Sequence, residues 1–214
     1  NNRAYVIGGL DKQVGIECQV YTSENNSWLF EFPSLPKGRF NSVCFVYRDS
    51  LYVFGGTDNS SNMNEIVRYD LSTQNSGEWT TIAKVNEANQ RGGVAFVVED
   101  KVYAGLGEKS NGIRNGFYVS SDSLTKWELI PSIPAQLGVI SSGVYDEQKK
   151  SFFMIDNDGK IWEYNLTTEQ WTSRSLWIRM KNYHMFMLDG SIYILGQDIY
   201  QKNKFTVYNP IWDN

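Results

Sequence analysis

A short apolar segment that ends in glycine recurs through this chain, and the recurrence limits the possible folds more than any other feature. The first copy, residues 3–9, reads Arg-Ala-Tyr-Val-Ile-Gly-Gly. Further copies follow at intervals of 41 to 50 residues, at 51–56, 102–107, 152–156 and 192–196. A period of about 40 to 50 residues around one strand is typical of β-propellers, in which each repeat forms a blade. The sequence therefore predicts an all-β chain with five blade repeats.

A tyrosine and a tryptophan follow the glycine motif at a similar spacing in several repeats. In the first and fourth repeats, six residues separate Tyr21 from Trp28 and Tyr164 from Trp171. Corresponding tryptophans stand at positions 79, 127 and 212. This pattern resembles the kelch repeat, and the resemblance covers nearly the whole chain. It implies a β-propeller of four-stranded antiparallel blades, with the aromatic side chains filling the space between neighbouring blades.

The repeat spacing divides a single domain, residues 1–214, into five blades at about 1–35, 36–84, 85–132, 133–175 and 176–214. An innermost strand is predicted before every glycine motif except the first, so the first blade is expected to be incomplete. Two arrangements remain open. Either five blades close with a three-stranded first blade, or the chain is part of a larger ring with further blades upstream. Resemblance to kelch proteins, whose rings usually have six or seven blades, favours the larger ring.

The turn in the third repeat departs from this pattern. Its sequence, Ser-Ser-Asp-Ser-Leu-Thr-Lys-Trp at 120–127, resembles a degenerate Asp-box of sialidase-like propellers. Ser120, Asp122 and Trp127 match that motif, whereas Leu124 replaces its glycine and Lys126 its threonine. The resemblance implies that Asp122 caps a turn between outer strands, away from any catalytic centre.

The composition excludes several classes of function. The chain has 20 Lys and Arg against 24 Asp and Glu, and a net charge of −4 does not provide the basic surface that nucleic-acid binding requires. No apolar run reaches the roughly 18 residues of a membrane-spanning helix. Cys18 and Cys44 are expected to be buried free thiols, with a disulfide as the alternative. Because His184 is the only histidine, we expect no metal site, no cofactor and no Ser-His-Asp relay.

Ligands of propellers bind where loops from all blades converge at the mouth of the central channel. Cations precede three of the predicted innermost strands: Arg39, Arg91, and Arg179 with Lys181. Guanidinium groups pair bidentately with carboxylates, so these residues are candidates for binding an acidic ligand. The alternative is that each arginine bonds to the adjacent blade. Tyr183 and His184 are expected to line the channel wall.

The loops after the glycine motifs are expected to reach the same rim. They are rich in Asn, Asp, Ser and Lys, and they contribute four candidate ligand residues: Asp58, Asn59, Asn111 and Arg114. Five carboxylates in these loops could form an acid and base pair, but they are also typical turn-forming residues: Asp58, Glu108, Asp156, Asp158 and Asp198. We favour the turn interpretation and predict no catalytic residue.

Two functions follow from this reading. The first is a non-catalytic kelch-like propeller that binds a protein, peptide or glycan with its channel-mouth loops. The alternative is a carbohydrate-active enzyme or isomerase that acts on sialic-acid-like sugars, a hypothesis based on the Asp-box-like turn and the arginines. The mixture of motifs is similar to bacterial exported propellers, so an extracytoplasmic location is favoured over a cytoplasmic one.

Overall fold

The structure is a computed structural model that describes residues 3–73, 75–85, 90–112, 116–121, 123–131, 133–177, 180–198 and 200–208. These residues form five antiparallel sheets, each made of strands that are consecutive in the chain. The first sheet contains β1 (Arg3–Ile7), β2 (Cys18–Thr22) and β3 (Ser27–Phe32). The second contains β4 (Val43–Tyr47), β5 (Ser50–Phe54), β6 (Glu65–Asp70) and β7 (Thr80–Lys84). The third contains β8 (Val94–Val98), β9 (Lys101–Gly105), β10 (Phe117–Ser121) and β11 (Glu128–Leu129). The fourth contains β12 (Ile140–Asp146), β13 (Ser151–Asp156), β14 (Lys160–Asn165) and β15 (Gln170–Trp177). The fifth contains β16 (Lys181–Leu188), β17 (Ser191–Gln197) and β18 (Asn203–Tyr208).

Each sheet is one blade of a five-bladed propeller, which confirms the predicted all-β fold class. The three middle blades have four strands, and the first blade and the described part of the last blade have three. In the second blade the glycine motif directly follows β5, the second strand, and in the first blade it directly follows β1. The strand β1 is therefore equivalent to β5, and the first blade lacks its innermost strand, as predicted. Within the described ranges, no helix is long and apolar enough to cross a membrane.

The glycine motif allows neighbouring blades to approach closely. Gly8 and Gly55 have φ angles of 63° and 66°, which a residue with a side chain rarely adopts. A Cβ on Gly8 would lie 2.3 Å from the carbonyl oxygen of Arg39 in the next blade, and one on Gly55 would lie 2.8 Å from that of Gln90. In the third blade Leu106 takes this position, with a φ of 62°. The structural role predicted for the glycines is confirmed.

Apolar side chains fill the space between blades, and their alternation along each strand gives every blade two faces. On β5, Leu51 and Val53 pack against the first blade, whereas Tyr52 and Phe54 pack against the third. In the second, third and fourth blades, the tyrosine and tryptophan lie on the face that meets the preceding blade, and Trp212 of the fifth lies outside the described residues. The Tyr69 and Trp79 rings are 5.4 Å apart, and Trp79 Nε1 donates a hydrogen bond of 2.8 Å to the Pro33 carbonyl of the first blade.

The two cysteines differ in their surroundings. Both are free thiols, as expected, but only Cys18 is buried. Burial raises the pKa of the Cys18 thiol to about 12. Cys44 is exposed because it lies on the face of β4 that turns toward the first blade, where an innermost strand is absent. The expectation that both thiols are buried is therefore wrong for Cys44.

Candidate functional site

A cavity of about 660 Å³ lies where the innermost strands of four blades begin. It is lined by Asn41 of the second blade; Arg91, Gly92 and Glu108 of the third; Val139, Ile140 and Asn157 of the fourth; and Asn182, Tyr183 and His184 of the fifth. We call it the channel-mouth site. Backbone hydrogen bonds hold its loops together, for example from Asn157 N to the Val139 carbonyl at 2.9 Å. Residues before the innermost strands thus meet residues after the glycine motifs.

Arg39 does not lie at this site, which corrects the expectation that it faces the rim. Its side chain is fully buried and donates to the Glu65 carboxylate at 2.5 Å and to the Gly55 carbonyl at 3.2 Å. The sequence analysis treated Arg39 and Arg91 as equivalent positions, and this alignment was wrong by one residue. Gly9 N bonds to the carbonyl of Arg39 and Gly56 N to that of Gln90, so Arg39 is equivalent to Gln90. A shift of one residue in an extended segment turns a side chain to the opposite side.

Arg91 lines the channel-mouth site, but its charge already has a partner. Its Nε and Nη2 atoms lie 3.0 and 2.9 Å from Oε2 of Glu108. Backbone bonds of 3.0 and 2.9 Å between the same two residues fix the pair across the two loops. Both side chains are partly exposed, so water screens their attraction. The pair offers donors and acceptors to a ligand but little net charge.

The fifth blade contributes the other candidate residues that border the site. Tyr183 is buried, its hydroxyl accepts a hydrogen bond of 3.1 Å from Met180 N, and burial raises its pKa. His184 is exposed and borders both the channel-mouth site and a smaller cavity of about 300 Å³. Lys181 is exposed at the start of β16 and does not line the channel-mouth site. Arg179 lies outside the described residues.

The described candidates from the loops of the second and third blades, Asp58, Asn59 and Asn111, do not line the site. Asp58 accepts hydrogen bonds from the backbone of Ser60 and Ser61 at 2.9 and 3.0 Å. A hydrogen bond from Lys37, with a 2.8 Å ion pair, and these backbone donors hold the Asp58 pKa well below its usual range. Asn59 is exposed within the same turn, with a φ of 75°. The remaining two candidates are Asn111, which is exposed in a turn, and Arg114, which lies outside the described residues.

Three of the five carboxylates considered as an acid and base pair, Asp58, Asp156 and Asp198, instead accept backbone N–H groups in turns, as we favoured, whereas Glu108 pairs with Arg91. Asp156 is buried, and its two oxygens accept four N–H groups: those of Asp158, Lys160, the Trp162 indole and Gly138. Asp198 accepts from the backbone of residues 200 and 202 at 2.8 and 3.0 Å. No group of three or more His, Cys, Asp or Glu side chains that could hold a metal ion occurs in the described part of the chain.

The third-blade turn is only partly described, because Asp122 lies outside the described residues. Ser120 Oγ donates to the Lys126 carbonyl at 2.5 Å, and Trp127 Nε1 donates to the Leu124 carbonyl at 3.0 Å. The Trp127 ring stacks on Phe54 of the preceding blade, with ring centroids 5.8 Å apart. These contacts hold the turn against the second blade, and no described residue of the turn lines the channel-mouth site.

Sequence reasoning missed the three asparagines of the site. Asn41 and Gly92 stand two residues before β4 and β8, with φ angles of 51° and 68°, and Asn182 is the second residue of β16, with a φ of 54°. Asparagine and glycine are the residues that adopt this left-handed conformation most readily. An Asn or Gly at the start of three of the four innermost strands was thus a usable signal, although what it indicates directly is the backbone conformation and not ligand binding.

Comparison with known proteins agrees with this fold. Residues 38–86 match a family model described as Kelch motif. No match was found among curated proteins. The chain is similar to the solved structure of YjhT, with 16% sequence identity and a TM-score of 0.78, over 98% of this chain and 82% of YjhT. At this identity the likeness shows a shared fold. The chain is a β-propeller with a kelch motif.

Proposed function

We propose that this propeller is a non-catalytic binding module that takes a glycan at the channel-mouth site. The observation that supports this proposal is the chemistry of the lining: side-chain amides of Asn41, Asn157 and Asn182 beside the paired Arg91 and Glu108. Each amide can donate and accept hydrogen bonds, as can a sugar hydroxyl. A few polar groups around a cavity of several hundred Å³ are typical of a small-ligand site.

A neutral polyhydroxylated ligand fits this lining better than an acidic peptide. Capture of an acidic peptide requires cations that are free to pair with it. Arg39 is buried against Glu65, and Arg91 is paired with Glu108. The Arg91 and Glu108 side chains together offer both donors and acceptors, which matches a diol arrangement on a sugar ring. We therefore choose the glycan among the partners that the sequence allowed.

The position of Arg39 weakens the alternative function, an enzyme or isomerase that acts on sialic-acid-like sugars. A sialidase-like mechanism was based on a cluster of arginines, and Arg39 is separated from the cavity by burial. His184 is the only histidine of the chain. Glycan binding is also consistent with the extracytoplasmic location that the sequence favoured, which cell fractionation with an antibody would test.

A glycan array tests the proposal directly. The protein is applied to neutral and acidic oligosaccharides and, on the same array, to acidic and basic peptides. The affinity for the best oligosaccharide is then measured by calorimetry. Asn157→Ala and His184→Ala should each weaken it about 10-fold, the value of one lost hydrogen bond of about 1.4 kcal/mol. Asn25→Ala, in an exposed turn of the first blade, is the matched control and should bind normally. Binding to acidic peptides alone, or full binding by both site variants, would contradict the proposal.

A further inference from the structure

A smaller cavity adjoins the channel-mouth site on the fifth blade. Its volume is about 300 Å³, and we call it the outer cavity. Its lining includes Leu195, Gln197, Asn203, Lys204, Asn182 and His184. The last two of these residues also line the channel-mouth site, so the two cavities share a wall. A ligand of sufficient length can therefore contact both cavities.

Three amide side chains in this lining form a hydrogen-bonded chain, which we call the amide relay. Asn182 Nδ2 donates to Gln197 Oε1 at 3.0 Å, and Gln197 Nε2 donates to Asn203 Oδ1 at 3.4 Å. These bonds fix the orientation of each amide, and chains of hydrogen bonds polarise one another. The relay leaves the Asn182 oxygen as an acceptor and the Asn203 amino group as a donor for a ligand.

The strand register of the fifth blade brings the three amides together. Gln197 and Asn203 are directly opposite each other in β17 and β18, so their side chains lie on one face of the sheet. On β16, Asn182 and Tyr183 lie opposite the single residue Gly196 of β17 and form a β-bulge. Bulges redirect side chains and are common beside functional sites. In this bulge, with a φ of 54°, the Asn182 amide lies within bonding distance of Gln197.

The amide at position 197 departs from the repeat. Gln197 stands at the second glycine of the repeat motif, which is Gly9, Gly56 and Gly107 in the first three blades and Asn157 in the fourth. A Cβ on Gly56 or Gly107 would lie 2.5 Å from the nearest atom, so those blades have no room for a side chain there. The fourth and fifth blades place an amide at this position, and each amide lines a cavity: Asn157 the channel-mouth site and Gln197 the outer cavity. The departure from glycine thus coincides with the two cavities.

The outer cavity carries little net charge. Lys204 pairs with Asp198 at 3.6 Å, and backbone N–H groups of residues 200 and 202 hold the Asp198 carboxylate in place. The Lys204 side chain is 55% exposed, so water screens this pair. Leu195 is 41% exposed and adds apolar surface to the lining. Amides beside an aliphatic side chain suit a neutral sugar ring, which has hydroxyls at its edge and C–H groups on its faces.

We propose that the outer cavity binds a further sugar unit, so that the protein takes a neutral oligosaccharide across both cavities. The volume of about 300 Å³ is the space of about ten water molecules at about 30 Å³ each, and a hexose residue has about eleven non-hydrogen atoms. Asn182 and His184, on the shared wall, lie where the two sugar units are joined. Gln197 and Asn203 then fix the orientation of the outer unit. The inference rests on the proposed glycan function and adds the length of the ligand to it.

The test measures affinity as a function of ligand length. Oligosaccharides of glucose, mannose, galactose and N-acetylglucosamine, each from one to four units long, are titrated by calorimetry. In the series that binds best, we expect one added unit to raise the affinity at least about 10-fold, as one additional hydrogen bond does. We call the sugars before and after this step the short and the long ligand. If the glycan array identifies a different sugar, its fragments of one to four units take the place of these series.

Variants of the amide relay assign this step to the outer cavity. Gln197→Ala and Asn203→Ala should each weaken binding of the long ligand about 10-fold and change that of the short ligand less than about 2-fold. Asn157→Ala should weaken both equally, because Asn157 lines the channel-mouth site and not the outer cavity. Gln170→Ala, at an exposed position of the outermost strand β15, is the matched control and should bind both ligands normally. All four variants should keep the parent melting temperature within about 2 °C.

Three results would overturn the outer subsite and leave the proposed function standing. The first is an affinity that does not change between one and four units. The second is an equal loss of affinity for the short and the long ligand in Gln197→Ala or Asn203→Ala, and the third is full binding of the long ligand by both variants. A parent protein that binds no sugar in these titrations and none on the array would instead refute the proposed function, together with the inference that rests on it.

Discussion

Replacement of Arg39 by methionine should destabilise the fold without a direct effect on the channel-mouth site. The guanidinium is fully buried, and it bonds to the Glu65 carboxylate and to the carbonyls of Gly55 and Lys37. Removing one partner of a buried ion pair costs about 3 to 5 kcal/mol, because the other charge loses its compensation. The Glu65 side chain is 24% exposed, so water can partly hydrate its carboxylate once the guanidinium is removed. We therefore expect Arg39→Met to lower the free energy of unfolding by about 3 kcal/mol.

A double variant separates the charge from the packing. In Arg39→Met with Glu65→Gln, no uncompensated carboxylate remains, so about 1 to 2 kcal/mol should be recovered relative to Arg39→Met alone. Arg39→Lys should lie between the parent and Arg39→Met, because an ammonium keeps the charge but cannot reach several acceptors with a planar fork. Arg91→Met is the matched control. Its ion pair is partly exposed, and we expect a loss below about 1 kcal/mol.

Urea unfolding, followed in parallel by tryptophan fluorescence and circular dichroism, measures these differences. Coincident transitions and equal m-values justify comparison of the free energies of unfolding. If Arg39→Met and Arg91→Met cost the same small amount, the buried pair does not stabilise the propeller and our assignment of Arg39 fails. Loss of ligand binding by Arg39→Met with unchanged stability would restore the original rim hypothesis.

Other predictions concern a buried carboxylate, a surface ion pair and a thiol. Asp156→Asn should cost about 2 to 3 kcal/mol in urea unfolding, because an amide NH₂ would face N–H donors that now bond to oxygen, whereas the exposed Asp158→Asn should cost below about 0.5 kcal/mol. The lowered pKa of Asp58 stabilises the folded state above the unfolded pKa of about 3.9, and this contribution is lost as the pH falls below it. The melting temperatures of the parent and Asp58→Asn should therefore converge below about pH 4, and Lys37→Met should remove most of this pH dependence. Cys18 should be alkylated at pH 8 at least about 100-fold more slowly in the native protein than in urea, because few thiolates form.

The fold was predictable because the repeat records the contacts between blades. The apolar second strands, the tyrosines and the tryptophans all lie on blade faces, so their period predicts the blades directly. The glycine predicted the position of the turn less reliably, because other residues take its place in two blades. In the third blade Leu106 takes the left-handed position, and in the fourth blade Asp156 replaces the glycine with a buried, four-donor turn. What the fold requires there is a tight, bonded turn next to the adjacent blade, and more than one residue type can supply it.

The site was less predictable because its geometry depends on single-residue offsets. Sequence comparison aligned Arg39 with Arg91, but hydrogen bonds from the glycine motifs align Arg39 with Gln90. An arginine that is displaced by one residue points into the protein, and its charge is then satisfied by Glu65 instead of a ligand. Glu108, the partner of Arg91, lies 17 residues away in the loop that follows the glycine motif. No local sequence pattern predicts that these two residues pair. Contacts across loops are a property of the assembled ring.

The distribution of charge explains why stability and binding can be separated in this protein. Carboxylates such as Asp58 and Asp156 accept backbone N–H groups of their own loops, and Arg39 ties a loop to a neighbouring strand. These charged groups are therefore bonded within the protein and stabilise its loops. The side chain of Asn157 is exposed and lines the cavity, so its replacement should cost little stability. Substitutions at the two sets should therefore have opposite effects: the ion-paired and capped residues should alter unfolding, and the asparagines should alter ligand affinity. A variant such as Asn157→Ala that lost several kcal/mol of stability would show that this division of the rim is wrong.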